Sequence, residues 1–265
     1  MRISLSSAWD ETRAVLARDG RLLVAVALAL LVLPGIVTDL SMPETAAGEM
    51  PPVGPWLAIG AVAVALSMAG QLALIRLALG AGTTVGEAIA HGFRRLPQYF
   101  AAVLLWVLPL VLLALGLYSA TGIGTDAPRA APALGFLLIV FAGVYLAIRL
   151  VLSSPVASAE AIGPVAILKR SWALGRGNWW RLFGFALLFF ITLLVLLTAT
   201  QAVFGSVVAA AAGGLKPWSL GALLVSLISQ LVSAAASIVF FVMLAQLYRQ
   251  AAGATDGPSV PNSGT

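Results

Sequence analysis

The chain has 265 residues, of which 61% are apolar and 9% charged, and its mean hydropathy is +1.03. A soluble domain is roughly half apolar and about a quarter charged, so this composition excludes a water-soluble enzyme and a disordered chain. The apolar residues fall in runs matching the ~30 Å of a bilayer's hydrocarbon, which predicts a polytopic membrane protein, and the absence of cysteine removes disulfides and thiolate chemistry.

Six helical spans are predicted, because in lipid a helix is how a single segment satisfies its own backbone. They run over Leu22–Val37, Trp56–Ile75, Ala101–Tyr118, Ala133–Ile148, Leu182–Thr200 and Leu220–Leu247, with Gln201–Ala212 a soft extension of the fifth. The first is read as an uncleaved span, since its leading segment is long and carries Asp10, Glu11 and Asp19. The loop Thr38–Pro55 is acidic and proline-rich, and no Asp or Glu is placed inside a span. Residues 1–250 are expected to form one transmembrane domain and residues 251–265 a disordered tail.

Of the fifteen Lys and Arg residues, only Arg129 and Lys216 fall on one side of this arrangement. The positive-inside rule then places both termini and the basic side in the cytoplasm. The pI near 10.2 reflects that topology rather than nucleic-acid binding, because no nucleic-acid motif accompanies the charge.

Between the second and third spans, Val85, Ala88, Ile89, Gly92, Phe93 and Leu96 form one helical face, with Glu87, His91, Arg94 and Arg95 opposite. Thr84 and Glu87 make a capping box, and Pro97 is expected to end the helix. Such a segment reads as an interfacial elbow helix. The plan recurs: Arg76-Leu77-Ala78-Leu79 and Glu87-Ala88-Ile89 match Arg149-Leu150-Val151-Leu152 and Glu160-Ala161-Ile162 without a gap. The expected architecture is therefore all-α, with six spans and interfacial elbows in repeat units of about 1–78, 79–151 and 152–250.

Groups able to do chemistry are sparse. His91 is the only histidine and is read as solvated, no His/Asp/Glu cluster has metal-ligand spacing, and no nucleotide or nucleophile motif occurs. No catalytic residue and no cofactor is expected. Ser226, Ser229, Gln230, Ser233 and Ser237 form a polar stripe on the sixth span, readable as interhelical hydrogen bonding or as a polar path. Arg76 with Glu87, and Arg149 with Glu160, could pin the span-to-elbow turns as ion pairs or stand independent. Lys169, Arg170, Arg176 and Arg181, interleaved with Trp172, Trp179 and Trp180, read as an interface anchor or a contact for anionic lipid.

The run Arg149-Leu150, Pro155, Glu160, Ala166, Lys169-Arg170-Ser171-Trp172, Leu174, Gly177-Asn178 and Arg181 resembles a family of bacterial six-span proteins. That family is named for the membrane domain of glycerophosphoryl diester phosphodiesterases. The resemblance implies the membrane part alone, because the soluble catalytic domain fused to some members needs histidines, carboxylates and a divalent metal, and one histidine is present. It carries no catalytic residues over to this chain. The expectation is a non-catalytic protein of the bacterial inner membrane that organises lipid or presents it to a partner; the rival is a small transporter or lipid translocator using the sixth-span stripe. Anionic membrane lipids and a membrane-protein partner are the expected partners.

Overall fold

The computed structural model describes residues 4–43, 52–80, 82–121, 130–208 and 219–255, and these are helical with no strand among them. The long helices are α1 (Leu5–Ser41), α2 (Trp56–Leu79), α3 (Val85–Thr121), α4 (Ala130–Arg149), α7 (Trp179–Thr200) and α8 (Leu220–Thr255). All six are long and apolar enough to cross a membrane. Two short helices, α5 (Ser153–Ala159) and α6 (Pro164–Leu174), lie between α4 and α7. Arg129, Lys216 and most of the predicted tail lie outside the described residues.

Several helices run past their predicted ends. α1 is capped by Ser4, whose side chain accepts from the Ser7 amide, and continues through a π-turn at Leu28–Val32 to Ser41. At ~1.5 Å per residue it measures ~55 Å, nearly twice the hydrocarbon thickness, so its first turns project beyond the membrane. Asp39 therefore sits on a helix, not in a loop. α8 likewise extends to Thr255, because Ala251 is buried against the core and the alanines after it favour helix. The predicted disordered tail does not begin at residue 251.

The expected elbow Val85–Leu96 is not a separate helix. It is the first third of α3, which continues through Pro97. Proline removes the bond to the Phe93 carbonyl, a loss of ~3 kcal/mol in an isolated helix. Packing on both sides of the proline holds the helix together. Ala88 is buried before it, Tyr99 and Ala102 after it, and Gly92 lies so close to the Ala69 carbonyl of α2 that a Cβ there would collide. α2 and α3 thus form an antiparallel hairpin, and the polar face taken for a headgroup-facing surface lies beside it. Of the two matched elbows only the second, α6, stands alone, separated from α7 by a turn in which Gly177 adopts φ +77°. That left-handed conformation favours glycine.

Every described Lys and Arg lies toward one end of the bundle, here the basic end. The core lies there too. One cluster joins Leu72, Tyr99, Ile148, Leu152, Ile167, Leu182 and Leu247; a second joins Leu23, Val26, Leu74, Ile75, Leu77 and Val242. α1 and α8 run antiparallel, joined at the basic end by the Ser4 amide donating to Gln250 Oε1 at 3.0 Å. At the far end Ser226 Oγ and Gln230 Nε2 donate to Asp39 at 2.8 and 2.9 Å.

Candidate functional site

The segment after α4 is the most elaborated part of the basic end. α5 is buried from Ser153 to Ser158. Ser158 Oγ donates to the Leu72 carbonyl at 3.0 Å, and His91 Nε2 lies 2.8 Å from the Ser158 carbonyl. A carbonyl only accepts, so Nε2 carries the proton and His91 is a structural pin rather than a solvated residue. The sequence reading missed α5, because seven small and apolar residues have no period that tells a buried helix from a loop.

Glu160 follows α5 and accepts at Oε1 from Arg170 Nε at 3.0 Å and from the Tyr248 hydroxyl at 2.9 Å. It therefore ties α6 and α8 together. Neither expected ion pair forms. Arg149 turns to aromatic rings instead, its guanidinium lying 4.9 Å from the Trp172 ring centroid and 5.6 Å from that of Tyr145. Arg149 Nε donates to the Tyr145 hydroxyl at 3.1 Å, while the buried Nη1 has no partner among the described residues. Glu87 is held by the capping box instead of by Arg76: its carboxylate accepts from the Thr84 amide and hydroxyl, both at 2.9 Å.

Lys169, Trp172 and Arg176 line one groove of about 520 Å³, walled by Leu146, Leu150 and Leu168. Lys169 and Arg176 are exposed and Trp172 is half-buried. Arg170, expected beside them, is turned away to Glu160. Trp179 stacks on Phe183 with centroids 5.2 Å apart and approaches Tyr145 at 5.7 Å, whereas Trp180 is 76% exposed. Arg181 is half-buried in the first turn of α7, whose N-cap position is held by Asn178. The result is a cationic groove with an aromatic floor, and Arg149 stacked over that floor adds a third positive charge. This arrangement can hold an anionic headgroup by charge-assisted hydrogen bonds and seat the adjoining glycerol or acyl carbons on Trp172.

The polar stripe of the sixth span divides. Ser229 Oγ accepts from Gln201 Nε2 at 3.2 Å in the π-turn that follows α7. Ser226 and Gln230 hold Asp39. Gln230, Ser233 and Ser237 line a cleft of about 690 Å³ between α1, α2 and α8. The cleft extends along α2 from Trp56 to Gln71, ~22 Å at ~1.5 Å per residue. The stripe is both interhelical glue and the wall of a cavity. The sequence puts Asp39 in the loop because the apolar run stops at Val37; the helix runs on to Ser41 and carries Asp39 at its outer end.

Among the described residues no group of three or more His, Cys, Asp or Glu could hold a metal. The fold and these sites define an all-α, multi-pass membrane protein. The chain belongs to the family of a domain of unknown function, DUF7847, whose model matches residues 4–251. No curated protein and no solved structure matches it.

Proposed function

We propose that this is a non-catalytic protein of the bacterial inner membrane, with its basic end and both termini in the cytoplasm, which binds anionic lipid and presents it to a membrane partner. The observation that carries this reading is the convergence of Lys169, Trp172 and Arg176 on one groove. Each basic residue at an anionic surface contributes about 1 kcal/mol, and the attraction decays over a Debye length of ~8–10 Å. The resemblance of Arg149–Arg181 to the membrane domain of glycerophosphoryl diester phosphodiesterases supports a role in lipid handling.

The test is native mass spectrometry of the full chain from mixed-lipid nanodiscs. Wild type retains phosphatidylglycerol or cardiolipin over phosphatidylcholine, and the double variant Lys169→Gln, Arg176→Gln loses that preference. Equal retention by the variant overturns the reading. Reporters active only outside the cytoplasm, fused to either terminus, remain silent under this topology.

The second reading, a lipid translocator, is favoured by the depth of the cleft lined by Gln230, Ser233 and Ser237. In proteoliposomes it predicts transbilayer movement of a quenchable fluorescent lipid that Ser233→Leu slows. Rates equal to those of protein-free vesicles count against it.

A further inference from the structure

The cleft between α1, α2 and α8 contains a carboxylate with no cationic partner among the described residues. Among the described residues Asp39 accepts only from the neutral groups Ser226 Oγ and Gln230 Nε2, and both bonds fall on Oδ2. A carboxylate has about four acceptor positions, so Oδ1 is left without a donor among the described residues. The Asp39 side chain is exposed at the mouth, and Trp56 lines the same cleft. Trp56 begins α2 and Arg76 lies in its last turn, ~30 Å apart at ~1.5 Å per residue, so Trp56 stands at the headgroup level of the far leaflet. A carboxylate at that level, facing a cleft and held only by neutral donors among the described residues, is open to a cationic group.

The surroundings select the kind of cation. A hard metal ion takes six or more oxygen ligands, and no acidic cluster accompanies Asp39 among the described residues. An ammonium group needs one carboxylate and is also attracted to an indole face. The cleft is open rather than enclosed: Leu57 and Val64 line it and are 45% and 55% exposed. An occupant's chains can therefore stay in hydrocarbon while its head lies in the cleft. Ser233 is about one turn (~5 Å) deeper than Gln230, so the group that follows the ammonium in a phosphoethanolamine head has hydroxyl and amide donors beside it in the cleft. We infer that this cleft binds the ammonium headgroup of an amino phospholipid from the far leaflet, with the ammonium on Asp39 and the phosphodiester within reach of Gln230 and Ser233.

This site lies at the opposite end of the bundle from the basic groove, and either can fail alone. The test uses the full chain in nanodiscs containing phosphatidylethanolamine, its N-acetylated derivative and phosphatidylglycerol, with retained lipids counted by native mass spectrometry. Wild type is expected to retain phosphatidylethanolamine over the N-acetyl lipid by roughly ten-fold, the worth of one charge-assisted hydrogen bond. Asp39→Asn, which keeps an acceptor for Ser226 and Gln230, brings that ratio to one while phosphatidylglycerol retention is unchanged, showing an intact fold. Ser233→Leu, which narrows the cleft and spares Asp39, lowers retention of both ethanolamine lipids. A wild-type ratio near one, or Asp39→Asn retaining the wild-type ratio, overturns the inference. Displacement of the bound lipid by millimolar soluble phosphoethanolamine would overturn the lipid source and assign the site to a free headgroup.

Discussion

Along α2, nearly every residue from Ala69 to Ala78 is buried, whereas Val62 and Val64, two turns earlier, are 59% and 55% exposed. The same contrast runs through the bundle. At the basic end helices enclose one another and trap polar pins, Ser158 on Leu72 and Glu160 between Arg170 and Tyr248. At the far end α3, α4 and α7 expose leucines, valines and phenylalanines over much of their surface. The physical reason lies in the solvent. Part of the basic half projects past the hydrocarbon, where burying apolar area contributes about 25 cal/mol per Å². The far half lies in lipid, where an apolar contact between helices replaces an equivalent contact with a chain. Stability is therefore concentrated at the basic end, and the far end is left open for lipid to enter between helices.

The largest expected effect tests that concentration. Gly92→Val places a branched side chain against the Ala69 carbonyl, where backbone must move. The loss should be ~3 kcal/mol or more, enough to cost most of the folded protein, as read by size exclusion and thermal unfolding in detergent. Gly116→Val, at an exposed position in the far half of α3 with nothing within 4 Å of its Cβ, is the control and should fold normally. Comparable losses in both variants would break the comparison between the halves.

A smaller effect is expected at Glu160. Glu160→Ala removes the acceptor shared by Arg170 and Tyr248, leaving a half-buried cation without this carboxylate. The cost should be about 1–3 kcal/mol. Arg170→Gln should likewise lower stability while sparing retention of anionic lipid, whereas Lys169→Gln with Arg176→Gln should do the reverse. That crossed pattern separates the structural charge from the three groove residues next to it; a loss of lipid preference in Arg170→Gln alone would merge them.

The residues in these predictions differ in how far the sequence discloses them. The spans were legible because hydropathy is a property of composition, and the Thr84–Glu87 box because its bonds are local. The groove was legible in part: Lys169 and Trp172 are three residues apart on one helix and Arg176 follows in the turn after it, but nothing local says that Arg170 turns to Glu160. α5 and the Asp39 contact were not legible. Both depend on partners far away in the chain, Leu72 for Ser158 and Ser226 with Gln230 for Asp39, and such pairings leave no periodic trace. The continuous α3 was misread for a related reason: Pro97 is a local stop signal, and the Gly92–Ala69 packing that overrides it is tertiary.

The smallest effect is expected in the far half. Leu138 on α4 and Val195 on α7 are 69% and 59% exposed, with no buried neighbour assigned to them in either core cluster. In water, truncating a leucine that packs in a core costs 2–5 kcal/mol. Here the side chain meets lipid in both the folded and the separated state of the helices, so the transfer contribution cancels. Leu138→Ala and Val195→Ala should each change stability by no more than ~0.5 kcal/mol, measured as a shift in the midpoint of unfolding in lipid nanodiscs. Leu74→Ala, on the buried half of α2, is the matched deletion and should cost several times more. If Leu138→Ala proved equally costly in the isolated protein, the far half would pack against something other than lipid, such as a second copy of the chain. The loss would then diminish on dilution, because only an association contribution depends on protomer concentration.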